Sequence, residues 1–464
     1  MNYDVAVLGG GPGGYVAAIR AAQLGAKVLL VEKDQLGGVC LNRGCIPTKT
    51  LLKSAEKWHD LQRCSQFGLK AESISFDYNA VNARKNQVVE QMREGILKLV
   101  KSNAIDLEFG TAKLIAKDQI CVSTAKGEKQ YSASKIILAT GSAPMALPVP
   151  GGDLAGVINS DQLLAMTEVP KSMVVIGAGA VGIEFAAIFQ AFGCNVTVIE
   201  MMPAILPNVD SEIVKRMALL LRKQGIKFMT NTRVIGIKSG DDGVIVEVCS
   251  GDKTQEIATE KVLASIGRFP LVSGLGLDEV GIAYSRKGIT VNEKMETNIT
   301  GIYAIGDVTG KYMWAHAASA AGMVAAENAC GKQAAVDYKA VPGCIYTTPE
   351  AAMTGLTEQD ALAQGKEIKV SKFNFAANGK AVSMGEPDGL VKIIADELTG
   401  AVLGMHILGA HASDLIMEGA LAIQNKLSAK DLAQTIHPHP SLSEAIMECA
   451  HGIDGDIVHQ VKMK

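Results

Sequence analysis

VLGGGPGGYVAAIRAAQLGAKVLLVEK, running from Val7 to Lys33, is an apolar β-type run that breaks into glycines, becomes an alanine-rich helical pattern and returns to a second apolar run. The same pattern recurs as VIGAGAVGIEFAAIFQAFGCNVTVIEM, from Val175 to Met201. Each stretch reads as a βαβ unit. Glycines stand at Gly9, Gly11 and Gly14 in the first copy and at Gly177, Gly179 and Gly182 in the second. Glu32 and Glu200 each follow the first glycine by 23 positions. In a dinucleotide-binding turn the first glycine makes the tight bend, the second lets the backbone approach a pyrophosphate and the third brings helix and strand together. The acid then accepts from a ribose hydroxyl. One such glycine pattern is weak, because glycine turns before helices are common. Two copies with strand, helix and acid in register predict two dinucleotide sites.

Outside the repeat, two further runs end in glycine: IILATGS, Ile136 to Ser142, and GIYAIGDV, Gly301 to Val308. Asp307 closes the second, either as an exposed loop acid or as a ligand to a cofactor hydroxyl, and the apolar run before it favours the ligand. Pro148, Pro150, Gly151 and Gly152 form a turn-rich boundary before the second unit. VLASIG, Val262 to Gly267, closes that unit, and Leu271 to Gly310 is expected to return to the first. From about Ala340 onward strand patterns such as Gly389 to Ile394 alternate with helical ones such as Ser413 to Ile423, which reads as a separate α+β domain. The fold class expected is therefore α/β, with two Rossmann-like dinucleotide-binding domains and a C-terminal α+β domain. Expected boundaries are 1–147, 148–270, 271–340 (a second part of the first domain) and 341–464.

Composition excludes several classes. A length of 464 residues exceeds one compact core, and 48% hydrophobic with 20% charged residues is ordinary for a globular chain. A net charge of −3 offers no basic surplus for nucleic acid. No apolar run approaches the roughly 20 residues that span a bilayer, and no membrane partner is expected. Nine cysteines are an odd number and mostly scattered, which argues against a secreted disulfide framework and for a cytoplasmic protein.

Only Cys40 and Cys45 lie close together, in GGVCLNRGCIPTK, residues 37–49. They could be structural cysteines, half of a metal or iron–sulfur site, or a redox pair. No second Cys or His cluster supplies further ligands, so no metal site is expected, and a close cytosolic cysteine pair favours redox chemistry. Arg43, Lys49 and the start of a helix over Ile46 to Lys57 would each favour a thiolate.

This segment resembles the redox-active motif of the pyridine nucleotide-disulfide oxidoreductases, and IPTKTLL after it is most similar to the lipoamide-using branch. The resemblance covers nearly the whole chain. It implies FAD in the first unit, against Gly9, Gly11, Gly14, Glu32, Lys33, Gly38, Lys49, Ala112, Thr140, Gly141, Asp307 and Ala315. It implies NAD in the second, against Gly177, Gly179, Val181, Gly182, Glu200, Val234 and Gly267. By the same implication Cys40 is the thiol that exchanges with substrate, Cys45 faces the flavin, and Lys49 with Glu184 sits beside the flavin ring.

The second element is HPHPSLSE, His437 to Glu444. A dithiol substrate needs a base, and an imidazole held by a carboxylate suits that role near neutrality. The family register selects His439 as the base, with Glu444 as its partner, over His437. It also implies that the base comes from the other subunit of a homodimer. Val39, Trp314 and Ala317 depart from the family pattern, at positions expected near the flavin edge. The implied reaction is oxidation of a dihydrolipoyl group with reduction of NAD+. The lipoyl carrier would be a separate protein, of a 2-oxo acid dehydrogenase complex or the glycine cleavage system. Alternatives are another NAD(P)H-dependent disulfide reductase of the family and a flavin redox sensor without turnover. A mercuric reductase would carry a C-terminal cysteine pair that HGIDGDIVHQVKMK lacks, and NADPH-dependent glutathione reductases carry arginines where Met201 and Met202 stand.

Overall fold

A computed structural model describes residues 2–461. The first repeat forms a parallel sheet in the order Asp106–Phe109, Val28–Glu32, Asn2–Leu8, Gly127–Leu138 and Ile302–Ala304. All five residues of Val28–Glu32 are buried, as expected where helices cover both faces of a parallel sheet. The strand Gly127–Leu138 is longer than its apolar end suggested. Its polar first half pairs antiparallel with Gln119–Thr124, which pairs in turn with Thr111–Ala116. Its apolar second half lies between Asn2–Leu8 and Ile302–Ala304. The strand ends at Leu138, so Thr140 and Gly141 belong to the loop that follows.

Ile302–Ala304 brings the chain back to the first sheet after the second unit. Asp307 then falls in a one-turn 3-10 helix, Gly306–Thr309, rather than at the strand end itself. The next helix, Ala315–Ala329, packs on the repeat helix Pro12–Gln23 through small residues: a Cβ on Gly322 would lie 2.4 Å from the Gly13 carbonyl oxygen.

The second repeat builds a wholly parallel sheet in the order Lys227–Met229, Asn195–Ile199, Ser172–Ile176, Lys261–Ala264 and Val157–Ile158. A three-stranded antiparallel layer, Arg233–Gly240, Gly243–Ser250 and Lys253–Thr259, covers one side. Past residue 340 the sheet is antiparallel, in the order Gly343–Ile345, Glu350–Gly355, Val402–Gly409, Leu390–Asp396 and Ile368–Asn374. The helices Ala412–Gln424 and Glu444–His451 pack on it. Among the described residues no helix is long and apolar enough to cross a membrane.

Candidate active site

The two glycine turns are built alike. Gly9 and Gly177 have φ of 112° and 99°, which side-chain-bearing residues rarely adopt. A Cβ on Gly14 or Gly182 would lie 1.8 or 2.1 Å from the carbonyl oxygen of Gly9 or Gly177, so both positions hold helix against strand. The middle glycines differ from both. A Cβ on Gly11 would meet only the Gly38 Cα at 3.9 Å, and one on Gly179 would meet nothing within 4 Å. The middle position is thus open towards the space a dinucleotide needs.

Both acids are buried and brace their own turns. Glu32 accepts from the N–H of Gly10 at 2.7 Å and of Asp34 at 2.8 Å; Glu200 accepts from Ala178 at 2.8 Å and Met202 at 2.9 Å. Each carboxylate oxygen retains capacity for a further donor.

A cavity of about 660 Å³ opens along the first turn. Gly9, Gly11, Gly14, Glu32, Lys33 and Gly38 line one end, and Ala112, Thr140, Gly141, Asp307 and Ala315 line its length. Cys40, Cys45, Lys49, Glu184 and Val181 line it as well. These residues fit a dinucleotide: an open glycine turn at one end, a buried acid for a ribose, and a thiol pair. Gly177, Gly179, Gly182, Glu200, Val234 and Gly267 lie outside it, on the second unit. Val234, on the strand Arg233–Gly240, has its side chain buried in the core between the antiparallel layer and the parallel sheet, which leaves its backbone for contact with a nucleotide.

A short helix and the start of a long one bring the cysteines together. Cys40 lies in Gly38–Arg43 and Cys45 opens the 18-residue helix Cys45–Gln62. Gly44 makes the turn between them, where a Cβ would lie 3.0 Å from the Val39 carbonyl oxygen. Both cysteines are thiols and their side chains are hydrogen-bonded. That bond, with burial, pushes the Cys40 thiol far up. The same bond from Cys40 brings Cys45 down to about 7, with help from Lys49 and from its own backbone N–H at the helix start, against burial and Glu184. Arg43 is engaged by other partners. Contrary to the sequence expectation, its guanidinium meets Asp34 at 2.9 Å and Asp161 at 3.7 Å, and the two carboxylates offset it.

Lys49 Nζ lies 2.8 and 3.0 Å from the two Glu184 oxygens. Burial raises the pKa of Glu184, and the ion pair opposes that rise. Asp307 accepts from the Ser142 hydroxyl at 2.5 Å, and Arg268 donates to the same hydroxyl at 2.8 Å. Ser142 and Arg268 also line the cavity and went unnoticed in the sequence. Their signal was the pairing of two glycine-ended strands: Ser142–Pro144 is antiparallel to Arg268–Pro270. Val39 lines the cavity, but Trp314 and Ala317 do not. The Trp314 ring packs over Gly343, where a Cβ would lie 2.9 Å from it, and Ala317 is buried in the first turn of the helix Ala315–Ala329.

His439 and Glu444 stand apart from this cavity. The His439 Nδ1 is 2.9 Å from Glu444 Oε1, while Glu444 Oε2 accepts from the Ser441 N–H at 2.8 Å. Burial works against the Glu444 carboxylate, but the Ser441 N–H and His439 hold it below its usual range. The His439 side chain is 80% exposed, leaving Nε2 free to meet another molecule. His437 is the opposite case: its ring is buried between Glu418 at 3.1 Å and the Thr435 carbonyl at 2.7 Å.

Residues 3–322 match the family model described as pyridine nucleotide-disulphide oxidoreductase, and residues 341–450 match the dimerisation domain of the same family. The chain is 43% identical to the dihydrolipoyl dehydrogenase of Bacillus subtilis over 99% of both chains. It is 42% identical to the leghemoglobin reductase of Vigna unguiculata, over 96% of this chain and 87% of that one. Among solved structures, LpdA of Mycobacterium tuberculosis superposes with a TM-score of 0.90 at 29% identity, covering 96% of this chain and 98% of that one. The HOCl-induced flavoprotein disulfide reductase RclA of Escherichia coli, as its Cu(II) complex, gives 0.87 at 29% identity, over 97% and 99%.

Proposed function

This chain belongs to the pyridine nucleotide-disulphide oxidoreductase family, and we propose that within it the chain oxidises protein-bound dihydrolipoyl groups to lipoyl groups with reduction of NAD+. The observation that carries the reading is the Cys40 and Cys45 thiol pair on the cavity wall, with the Lys49–Glu184 ion pair at 2.8 Å lining the same cavity.

FAD is held by the residues of the first turn and cavity, and NAD by those of the second turn. Bound FAD supplies the two-electron relay between the thiol pair and the nicotinamide. The chain's own residues do the rest. His439 Nε2 removes a proton from a substrate thiol, and Glu444 orients the ring through Nδ1. The resulting thiolate attacks Cys40 of the oxidised pair, the Cys40–Cys45 bond breaks, and Cys45 leaves as the thiolate that Lys49 and the helix start stabilise. The second substrate thiol then displaces Cys40, which takes the proton, and the lipoyl ring closes. This leaves a Cys40 thiol beside a Cys45 thiolate, the proton distribution that the pair favours.

The exposure of His439 and its distance from the cavity wall support a base delivered from a second copy, so the working unit is a homodimer. The lipoyl carrier is a separate protein of a 2-oxo acid dehydrogenase complex or the glycine cleavage system, in the cytoplasm. Sheet membership supports dividing the chain at 147/148 and 340/341, whereas the pairing of Arg268–Pro270 with Ser142–Pro144 favours a return to the first unit between Ala264 and Arg268 rather than at 270/271.

The test is NAD+ reduction by dihydrolipoamide, set beside reduction of glutathione disulfide and of Hg(II) with NADPH. Dihydrolipoamide should be the efficient substrate, and turnover of only the other two would overturn the reading. NAD+ should exceed NADP+ in kcat/KM by at least tenfold, because Glu200 accepts from ribose hydroxyls and repels a 2′-phosphate. Equal efficiency would contradict that role for Glu200.

A further inference from the structure

Tyr346 of the C-terminal antiparallel unit touches both members of the Lys49–Glu184 pair. Tyr346 follows the edge strand Gly343–Ile345. Its backbone N–H donates to Glu184 Oε1 at 3.0 Å, the same oxygen that accepts from Lys49 at 3.0 Å. Its ring faces Lys49, with Nζ 4.3 Å from the ring centre. Burial and the neighbouring Cys344 and Glu350 push the Tyr346 hydroxyl well above its usual range, so the ring stays neutral.

Lys49 is a flexible side chain about one-third exposed, and an ion pair alone leaves it free to swing towards water. An aromatic face beneath the ammonium attracts it and closes that route. We propose that Tyr346 is a positioning residue, whose ring and backbone hold Lys49 and Glu184 in place, so that the C-terminal unit sets the electrostatic field at Cys45. This rests on the reading that Cys45 is the working thiolate. The groups acting on Cys45 are Cys40, Lys49 and Glu184, and those acting on Glu184 from the C-terminal unit are Tyr346 and Glu350. If Lys49 moves away, Cys45 loses a cation and keeps an anion nearby. Losing the cation raises its pKa, and the anion that stays is no longer offset.

The experiment measures alkylation of Cys45 by iodoacetamide against pH in the holoenzyme carrying Cys40→Ser, with modification quantified on the peptide containing Cys45. Tyr346→Phe keeps the ring and should leave the midpoint in place. Tyr346→Leu should raise it by roughly half a pKa unit or more. Lys49→Met should raise it too, and Tyr346→Leu should then add nothing further. Tyr346→Met carries the same comparison if the leucine variant does not fold. An unchanged midpoint in the leucine variant, an equal shift in the phenylalanine variant, or a full further shift on top of Lys49→Met would each overturn the proposal. Dihydrolipoamide oxidation by the unsubstituted enzyme is measured separately, so a failure here is distinct from a failure of the proposed function.

Discussion

Cys40 and Cys45 are chemically identical residues that the fold makes unequal. The hydrogen bond between them, the helix start at Cys45 and the Lys49 charge all place the negative charge on Cys45. In the reduced enzyme, alkylation of Cys45 should therefore rise through about pH 7, since the thiolate forms as pH climbs past its pKa. A Cys40→Ala substitution, which removes the hydrogen-bond donor, should move that midpoint upwards, whereas Cys40→Ser keeps a donor and should move it less. Spectroscopy separates the pair further. Resting holoenzyme with Cys40→Ser should show a long-wavelength absorbance from a free Cys45 thiolate beside the flavin, and Cys45→Ser should not. A band in the second variant alone would reverse the two assignments. These residues were legible in the sequence because their spacing is local. Tyr346 and Arg268 were not, because each reaches the site from a distant segment, and neither was Ser142, next to the expected Gly141, because its partner Arg268 lies 126 positions away. Arg43 was misread for the complementary reason: the sequence shows a cation near two thiols but not the carboxylates of Asp34 and Asp161 that fold onto it.

At the level of strand, turn and helix, the repeated glycine pattern carried more information than any single residue. The three positions do three different things in space, and the difference is testable. Gly182→Ala would put a Cβ 2.1 Å from the Gly177 carbonyl oxygen and 2.7 Å from Ser265 Oγ, forcing the helix Ala180–Ala191 off its strand. The expected cost is about 1–3 kcal/mol of stability together with loss of NAD+ binding. Gly179→Ala meets nothing within 4 Å, so melting should be unchanged while the KM for NAD+ rises by roughly tenfold, about 1.4 kcal/mol. Melting curves and KM values measured on both variants check the contrast. Equal destabilisation by both would remove the distinction between packing glycine and open glycine. Element ends were less legible. The strand Gly127–Leu138 was read only over its apolar half, since the polar half is paired in an exposed meander where period and hydrophobicity give no signal.

Across the whole molecule, the nucleotide unit and the C-terminal unit are joined by buried charge. Lys392, on the strand Leu390–Asp396, is 1% exposed and lies 2.8 Å from the fully buried Asp210, which caps the helix Ser211–Lys223, and 2.6 Å from Glu358. Burial alone would favour a neutral Asp210, but Lys392 holds its carboxyl below the usual range. Lys392→Met should leave that carboxylate unpaired and cost about 3–5 kcal/mol by denaturant unfolding, with partial recovery when Asp210→Asn is added. No sequence pattern announced this pair, because its members are 182 positions apart. The homodimer is the larger step in assembly, and it was legible only through the resemblance and the HPHPSLSE segment. A mixed dimer of His439→Ala and Cys40→Ser subunits decides it. If the base on one chain serves the thiols of the other, one site keeps both residues and its neighbour has neither. Isolated mixed dimers should then oxidise dihydrolipoamide with NAD+ at about half the activity of the unsubstituted dimer. If each chain builds its own site, every site carries one defect, and verified mixed dimers that stay inactive would contradict the account.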